Sequence, residues 1–159
     1  MHDFKWNTKA LCQAAAIAAL YAVLTIALAP ISFGANGAMQ LRVSEALTLL
    51  PVLTPTAVPG LFVGCLAANL LCGAPLPDIL FGSLATLLAA IATRRLRKNV
   101  YLAALAPVIS NGVIVGVMLS VVYTIPLLWS CFTVALGEIA ACFVLGIPLV
   151  KGVEKLRLF

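Results

Sequence analysis

Apolar residues run along this chain in long blocks, interrupted at a few places by proline, glycine and charge. The first block, 10–29, predicts a helix closed by Pro30, which cannot continue it. Residues 31–41 (ISFGANGAMQL) carry Gly, Asn and Gln, are too polar to face lipid, and read as a loop on one membrane face. A second helix is expected from Arg42–Glu45 to about Leu53, kinked near its end by Pro51, and a third over 57–71. CGAPLP at 72–77 is a break, after which Asp78 opens a fourth helix reaching about Thr93. The basic run Arg94, Arg95, Arg97, Lys98 leads to a fifth helix over 101–123, broken by Pro107. A sixth covers 127–150, and Lys151, Lys155 and Arg157 follow it.

Composition identifies the solvent of these helices. With 159 residues, 64% hydrophobic and only 9% charged, the chain has too little polar surface to cover a water-soluble globule. One span needs ~20 apolar residues across ~30 Å of hydrocarbon, so the length allows six or seven spans and no separate soluble domain; residues 1–159 read as one integral membrane unit. The first block is longer than the apolar region of a secretion signal and is followed by more spans, so it reads as a retained helix. The formal charge of +5 sits in clusters between apolar runs and marks topology rather than nucleic-acid binding.

Charge also chooses between six spans and a five-span alternative with one broken helix over 42–71. With six spans and a cytoplasmic N-terminus, nine of the ten Lys and Arg residues lie inside and only Arg42 outside. An inverted five-span arrangement is nearly as good by charge alone, but a helix through Pro51, Pro55 and Pro59 would lose repeated backbone hydrogen bonds. The expectation is therefore an all-α membrane protein of six transmembrane helices, in the plasma membrane, with both termini cytoplasmic.

Small residues recur at four-residue spacing: Ala14, Ala18 and Ala22, with Ala15 and Ala19 beside them, then Gly60 with Gly64 and Gly112 with Gly116. Such faces let helix backbones approach closely. The glycine pairs read as internal packing and the long alanine stripe of the first helix as a face for a partner. The five cysteines lie in or beside apolar stretches and read as packing residues, and His2 is outside every span, so no metal site or bound cofactor is expected.

Ionisable groups inside a span are costly and tend to face a cavity, a partner charge or a substrate. Here they are Arg42, Glu45, Asp78 and Glu138. Arg42 and Glu45, three residues apart, either neutralise each other or line a site. Asp78 after Pro77 is placed to cap the fourth helix, and a cap may line a pocket as well. Glu138 lies roughly 16 Å below the start of its helix at about 1.5 Å per residue, near the midplane and level with Asn111, so a Glu138–Asn111 hydrogen bond competes with a role in binding. If Arg42 and Glu45 cancel, two carboxylates remain without a protein cation, and a donor-rich or cationic ligand would match them. Asn69, Ser83, Thr86, Ser110 and Trp129 add amide, hydroxyl and stacking groups suited to a flat heterocycle, with the 31–41 loop as the lid. No phosphate-binding loop and no catalytic constellation is present in the sequence, so the chain reads as no enzyme, and uphill transport would draw on a partner or an ion gradient.

The segments ALYAVLTIAL (19–28), ISFG (31–34), QLRVSEALTLL (40–50), PGLFVGCLAANL (59–70) and DILFGSLATLLA (78–89), with Ser110–Asn111 and Gly137–Glu138, resemble the QueT family of queuosine-precursor S components of energy-coupling factor (ECF) transporters. The resemblance spans nearly the whole chain and departs from the family pattern in a longer stretch at 35–39. It implies a six-helix S-component bundle that binds a 7-deazaguanine such as preQ1 or queuine on the outer face. It also implies docking on a membrane coupling subunit that carries two ATPases. The implied substrate contacts are Glu138, Glu45, Asp78, Arg42, Asn111, Asn69, Gln40, Ser83 and Trp129. Docking would use an A-x-x-x-A pattern on the first helix, either Ala14 with Ala18 or Ala15 with Ala19. An S component for another vitamin or nucleobase, a self-powered proton-coupled carrier, and a ligand-free structural subunit are the competing readings.

Overall fold

The computed structural model describes residues 7–32 and 42–156. Among them are six helices and no strand: α1 (Thr8–Ala27), α2 (Val43–Val52), α3 (Ala57–Leu71), α4 (78–95), α5 (Val100–Tyr123) and α6 (Leu127–Lys155), with one further helical turn at Ala29–Ser32. The proposed lid and Gln40 lie outside the described residues. Three helices, α1, α5 and α6, are each long and apolar enough to cross a membrane. Shorter α2 and α3 are also apolar. The chain is an all-α membrane protein.

Side-chain contacts fix the direction of every helix. Ala14 meets Gly60 and Ala18 meets Gly64, so α1 and α3 run parallel. Gly112 faces Ala135 and Gly116 faces Cys131, so α5 and α6 are antiparallel. Tyr21 reaches Glu45 while Thr25 reaches Ser44, which sets α2 against the direction of α1. The helices thus alternate up and down, which brings the starts of α2, α4 and α6 to one end of the bundle. The opposite end carries Arg94, Arg95, Arg97, Lys98, Lys151 and Lys155.

In the arc of neighbours α1, α3, α4, α5 and α6, each packs on the next and α2 touches all five. Residues 44–51 of α2 are accordingly buried on every side, as a helix apolar all round should be. Outward-facing Leu11, Leu71, Leu88, Ile109, Val121 and Leu128 stay exposed, matching a lipid surround.

Prolines act differently from the expectation in three places. α1 ends at Ala27, before Pro30, which instead lies within the short turn Ala29–Ser32. α5 runs unbroken through Pro107. A proline at that position leaves the carbonyl four residues earlier without its helical donor. That carbonyl belongs to Ala103, and Thr93 of α4 supplies an O–H to it at 3.3 Å, so the bond is replaced across helices rather than lost. Pro51 does not merely kink an α-helix, because all of α2 is a 3₁₀ helix. At about 2 Å per residue it stretches ten residues to roughly 20 Å, one turn longer than an α-helix would. Its C-terminal carbonyls of Pro51 and Val52 accept from Arg94 Nη1 at 2.9 and 3.2 Å, a cation placed at the negative end of the helix.

Candidate functional site

Three helices with irregular turns bring the acidic residues together. Glu45 lies near the start of the 3₁₀ helix α2. Asp78 opens the π-turn Asp78–Gly82 that begins α4, and Glu138 lies two residues before a second π-segment, Ala140–Gly146, inside α6. The second π-segment precedes Pro148, which occupies the first turn of the α-helical continuation Ile147–Lys155, where its missing N–H is tolerated. π-turns recur at functional sites because they redirect side chains without ending the helix.

At the centre is a cavity of about 10 Å³ lined by Arg42, Glu45, Thr86, Asn111 and Glu138, with Gly82, Val115 and Val134 completing the wall. Each of α2, α4, α5 and α6 contributes to it. All five polar lining residues, Arg42, Glu45, Thr86, Asn111 and Glu138, are less than a tenth exposed. One Glu45 oxygen, Oε1, accepts from the Tyr21 hydroxyl and from Thr86 Oγ1, the latter at 3.3 Å. The other, Oε2, is buried and meets no hydrogen-bond partner among the described residues. Glu138 accepts at Oε1 from Asn111 Nδ2 at 2.7 Å, and its Oε2 takes the Cys142 thiol at 3.7 Å. That leaves Asn111 Oδ1 buried and unpartnered.

Arg42 pairs across helices as well as attracting its neighbour in sequence, Glu45, across the cavity that both line. Its Nη2 lies 3.6 Å from Asp78 Oδ1, whereas Glu45 is held by Tyr21 and Thr86. Arg42 thus adds Asp78 to the expected interaction with Glu45. The reason is geometric: successive 3₁₀ turns point both side chains inward, and Asp78 comes to the same end of the bundle. Pro77 rather than Asp78 occupies the cap position, and Asp78 is the first residue of the helical turn that follows it. Asn69 from α3 steadies this pair by donating from Nδ2 to the Asp78 carbonyl at 3.1 Å.

Other candidates fall elsewhere. Ser83 is buried one residue beyond Gly82 but does not line the cavity. Trp129 is not brought to the cluster; it is 57% exposed on the outer surface, its ring 6.3 Å from that of Phe132. Among the alanines, Ala14 is buried and Ala18 partly buried against α3, while Ala15 and Ala19 are exposed on an adjoining face of α1.

Tyr21 was not among the candidates, although it is fully buried and bonded to Glu45. A signal existed: Tyr21 follows Ala14 and Ala18 on the face that meets Gly60 and Gly64, so its phenol had to enter the bundle, and a buried phenol needs a polar partner.

A helical membrane bundle enclosing a polar, carboxylate-rich cavity defines a membrane transport or ligand-binding protein. The chain belongs to the QueT transporter family, whose sequence model matches residues 11–155. Searches of the curated proteins and of the solved structures return no match.

Proposed function

We propose that this chain is the substrate-binding S component of an ECF importer. It takes a queuosine precursor of the 7-deazaguanine type from the outer side of the cell membrane. The observation that carries this reading is the set of buried polar groups around the cavity: three carboxylates, Glu45, Asp78 and Glu138, accompany one guanidinium, Arg42. Among the described residues, Glu45 Oε2 and Asn111 Oδ1 have no hydrogen-bond partner. Burying such acceptors without donors costs about 1–3 kcal/mol each, a cost that a ligand rich in N–H groups removes. The edge of a guanine-like base offers neighbouring N–H donors, and an aminomethyl substituent would add a positive charge to balance the acidic excess.

A bicyclic base is far larger than the 10 Å³ now enclosed. Binding therefore requires the groups that meet across the cavity to part, and the end of the bundle where α2 and α4 begin, which carries Arg42, Glu45 and Asp78, is the natural opening. With Lys9, the 94–98 cluster and Lys151 and Lys155 at the other end, the opening faces outward and the termini inward. Of the two A-x-x-x-A registers, Ala15 with Ala19 is the one left for a coupling subunit, because Ala14 and Ala18 are occupied by α3. The ATPases of the complex would supply the energy.

The test is calorimetric titration of the detergent-purified protein with 7-aminomethyl-7-deazaguanine, alongside Glu45→Gln. Binding by the wild type, weakened at least tenfold in the variant, is the expected result. Uptake that proceeds with this chain alone and collapses on adding an uncoupler would instead identify a proton-coupled carrier.

A further inference from the structure

The charge at the basic end of the bundle is not balanced by the chain itself. Of the five acidic residues, Glu45, Asp78 and Glu138 are buried around the cavity and Asp3 lies outside the described residues, which leaves Glu154. Against that single carboxylate stand Arg95, Arg97, Lys98, Lys151 and Lys155, all exposed. Arg94 already donates to the Pro51 and Val52 carbonyls, whereas among the described residues no ion pair reaches the other five cations.

The cluster has a centre. The turn after α4 brings Arg97 and Lys98 to the first residues of α5, where Tyr101 is 55% exposed, and from α6 the Lys151 ammonium stands 5.7 Å above the centre of the Tyr101 ring. A ring at that distance holds the cation in place, and the ammonium keeps N–H donors for an anion. Toward the middle of the membrane the same surface turns apolar. Leu105 and Ile109 follow Tyr101 at four-residue intervals on α5, Val144 lies about two turns from Lys151 on α6, and all three are exposed. A tyrosine at the junction of a polar and an apolar surface marks the level of the lipid headgroups.

We infer that the basic ends of α5 and α6 form a binding site for an anionic phospholipid, its phosphate beside Lys98, Tyr101 and Lys151 and an acyl chain along Leu105, Ile109 and Val144. A free phosphate, or an acidic segment of another protein, would meet the cations and leave the apolar lane uncovered. A zwitterionic lipid would fill the lane while bringing a cation of its own to a surface already positive. An anionic lipid answers both features, since each Lys or Arg near an anionic headgroup adds to its hold. The site is separate from the central cavity, so its success or failure leaves the transport reading untouched.

Native mass spectrometry of the detergent-purified protein, titrated with dioleoylphosphatidylglycerol or dioleoylphosphatidylcholine, tests it. The wild type should retain phosphatidylglycerol about tenfold more tightly than phosphatidylcholine. Lys151→Gln should cut that preference at least threefold, and Lys151→Arg should keep it. Lys9→Gln removes the same charge from α1, at the far end of the arc of helices, and should leave the preference unchanged. These side chains are exposed, so the variants should fold, as thermal unfolding in detergent would verify. Equal retention of the two lipids, or an equal loss in Lys9→Gln and Lys151→Gln, overturns the site. Displacement of phosphatidylglycerol by sn-glycerol 3-phosphate would make it a phosphate site and overturn the lipid assignment. A Lys151→Gln protein that keeps the lipid preference but no longer co-purifies with membrane partners would assign the cations to a protein and overturn it as well.

Discussion

Replacing Gly64 by alanine should damage both the bundle and the ligand site. A methyl group there would lie 2.8 Å from the Ala18 carbonyl oxygen, 2.9 Å from Tyr21 Cβ and 3.0 Å from Ala18 Cα. Two of these atoms are backbone and the third is held at its root, so no rotamer change relieves the contact and α1 must withdraw by roughly half an ångström. Overpacking of this kind costs about 1–3 kcal/mol, against which an alanine in a helix regains at most ~1 kcal/mol of propensity. The net loss is about 1–2 kcal/mol, seen as a fall in Tm of several degrees by thermal unfolding in detergent. Gly152→Ala is the control, because nothing lies within 4 Å of the added methyl and only the propensity gain remains. Gly60→Ala separates the two effects. It meets the Ala14 carbonyl at 2.7 Å but not Tyr21, so it should cost similar stability with a smaller loss of ligand affinity than Gly64→Ala. A Gly64→Ala protein as stable as wild type would refute the close α1–α3 approach on which the placement of Tyr21 depends.

Thr93→Val should lower stability by ~1 kcal/mol, measured by the same unfolding assay, because it removes the O–H that serves the Ala103 carbonyl above Pro107. Pairing it with Pro107→Ala, which restores the helical donor, should recover most of that loss. Trp129→Ala should leave the affinity for 7-aminomethyl-7-deazaguanine within about twofold in calorimetry, given its exposure away from the cavity. Ala19→Leu should leave the unfolding free energy unchanged to within about 0.5 kcal/mol, yet abolish uptake in cells that supply the coupling subunit and ATPases, whereas Ala18→Leu should already unfold the α1–α3 contact.

Helix positions were legible because their ends carry chemistry that does not depend on tertiary contacts. The 57–71 helix ends at CGAPLP, and Gly73 there has φ +67°, a conformation glycine adopts without strain. The candidate site was legible as residue types, since a carboxylate inside an apolar run stands out whatever its partner. Partners were not legible. Arg42 and Glu45 are neighbours in sequence, but the carboxylate that Arg42 meets across helices is 36 residues away, and the phenol and hydroxyl that bond Glu45 lie 24 residues before it and 41 after it. Pro107 misled for a similar reason, because the hydroxyl that repairs its helix comes from another helix. Trp129 had the right chemistry for stacking on a base, but apolar periodicity in α6 does not reveal which side of a uniformly apolar helix faces lipid.

The backbone irregularities and the buried charges belong together. In a 3₁₀ helix residues three apart eclipse one another, so Glu45 and Thr48 stand on one ridge, and Thr48 Oγ1 is drawn to the Glu45 carbonyl at 2.5 Å and the Cys142 thiol at 3.7 Å. Cys142 in turn lies within the π-segment of α6 and meets Glu138. Gly146 closes that segment where Leu49 and the Ala46 carbonyl press against it, leaving no room for a side chain. The 3₁₀ helix and the π-segment thus fit one another along a single seam, and Glu45 and Glu138 emerge from the two sides of it toward the same cavity. A regular α-helix at either position would rotate one carboxylate away from the other. What holds the acidic site is therefore the match between two departures from α-helical geometry, and a substitution that forces them apart should disperse the site before it unfolds the bundle. Gly146→Ala is such a change, because its methyl would meet Leu49 Cδ1 at 2.5 Å and the Ala46 carbonyl at 3.0 Å, and the effect should be seen in calorimetry as lost ligand binding by a protein that still unfolds cooperatively.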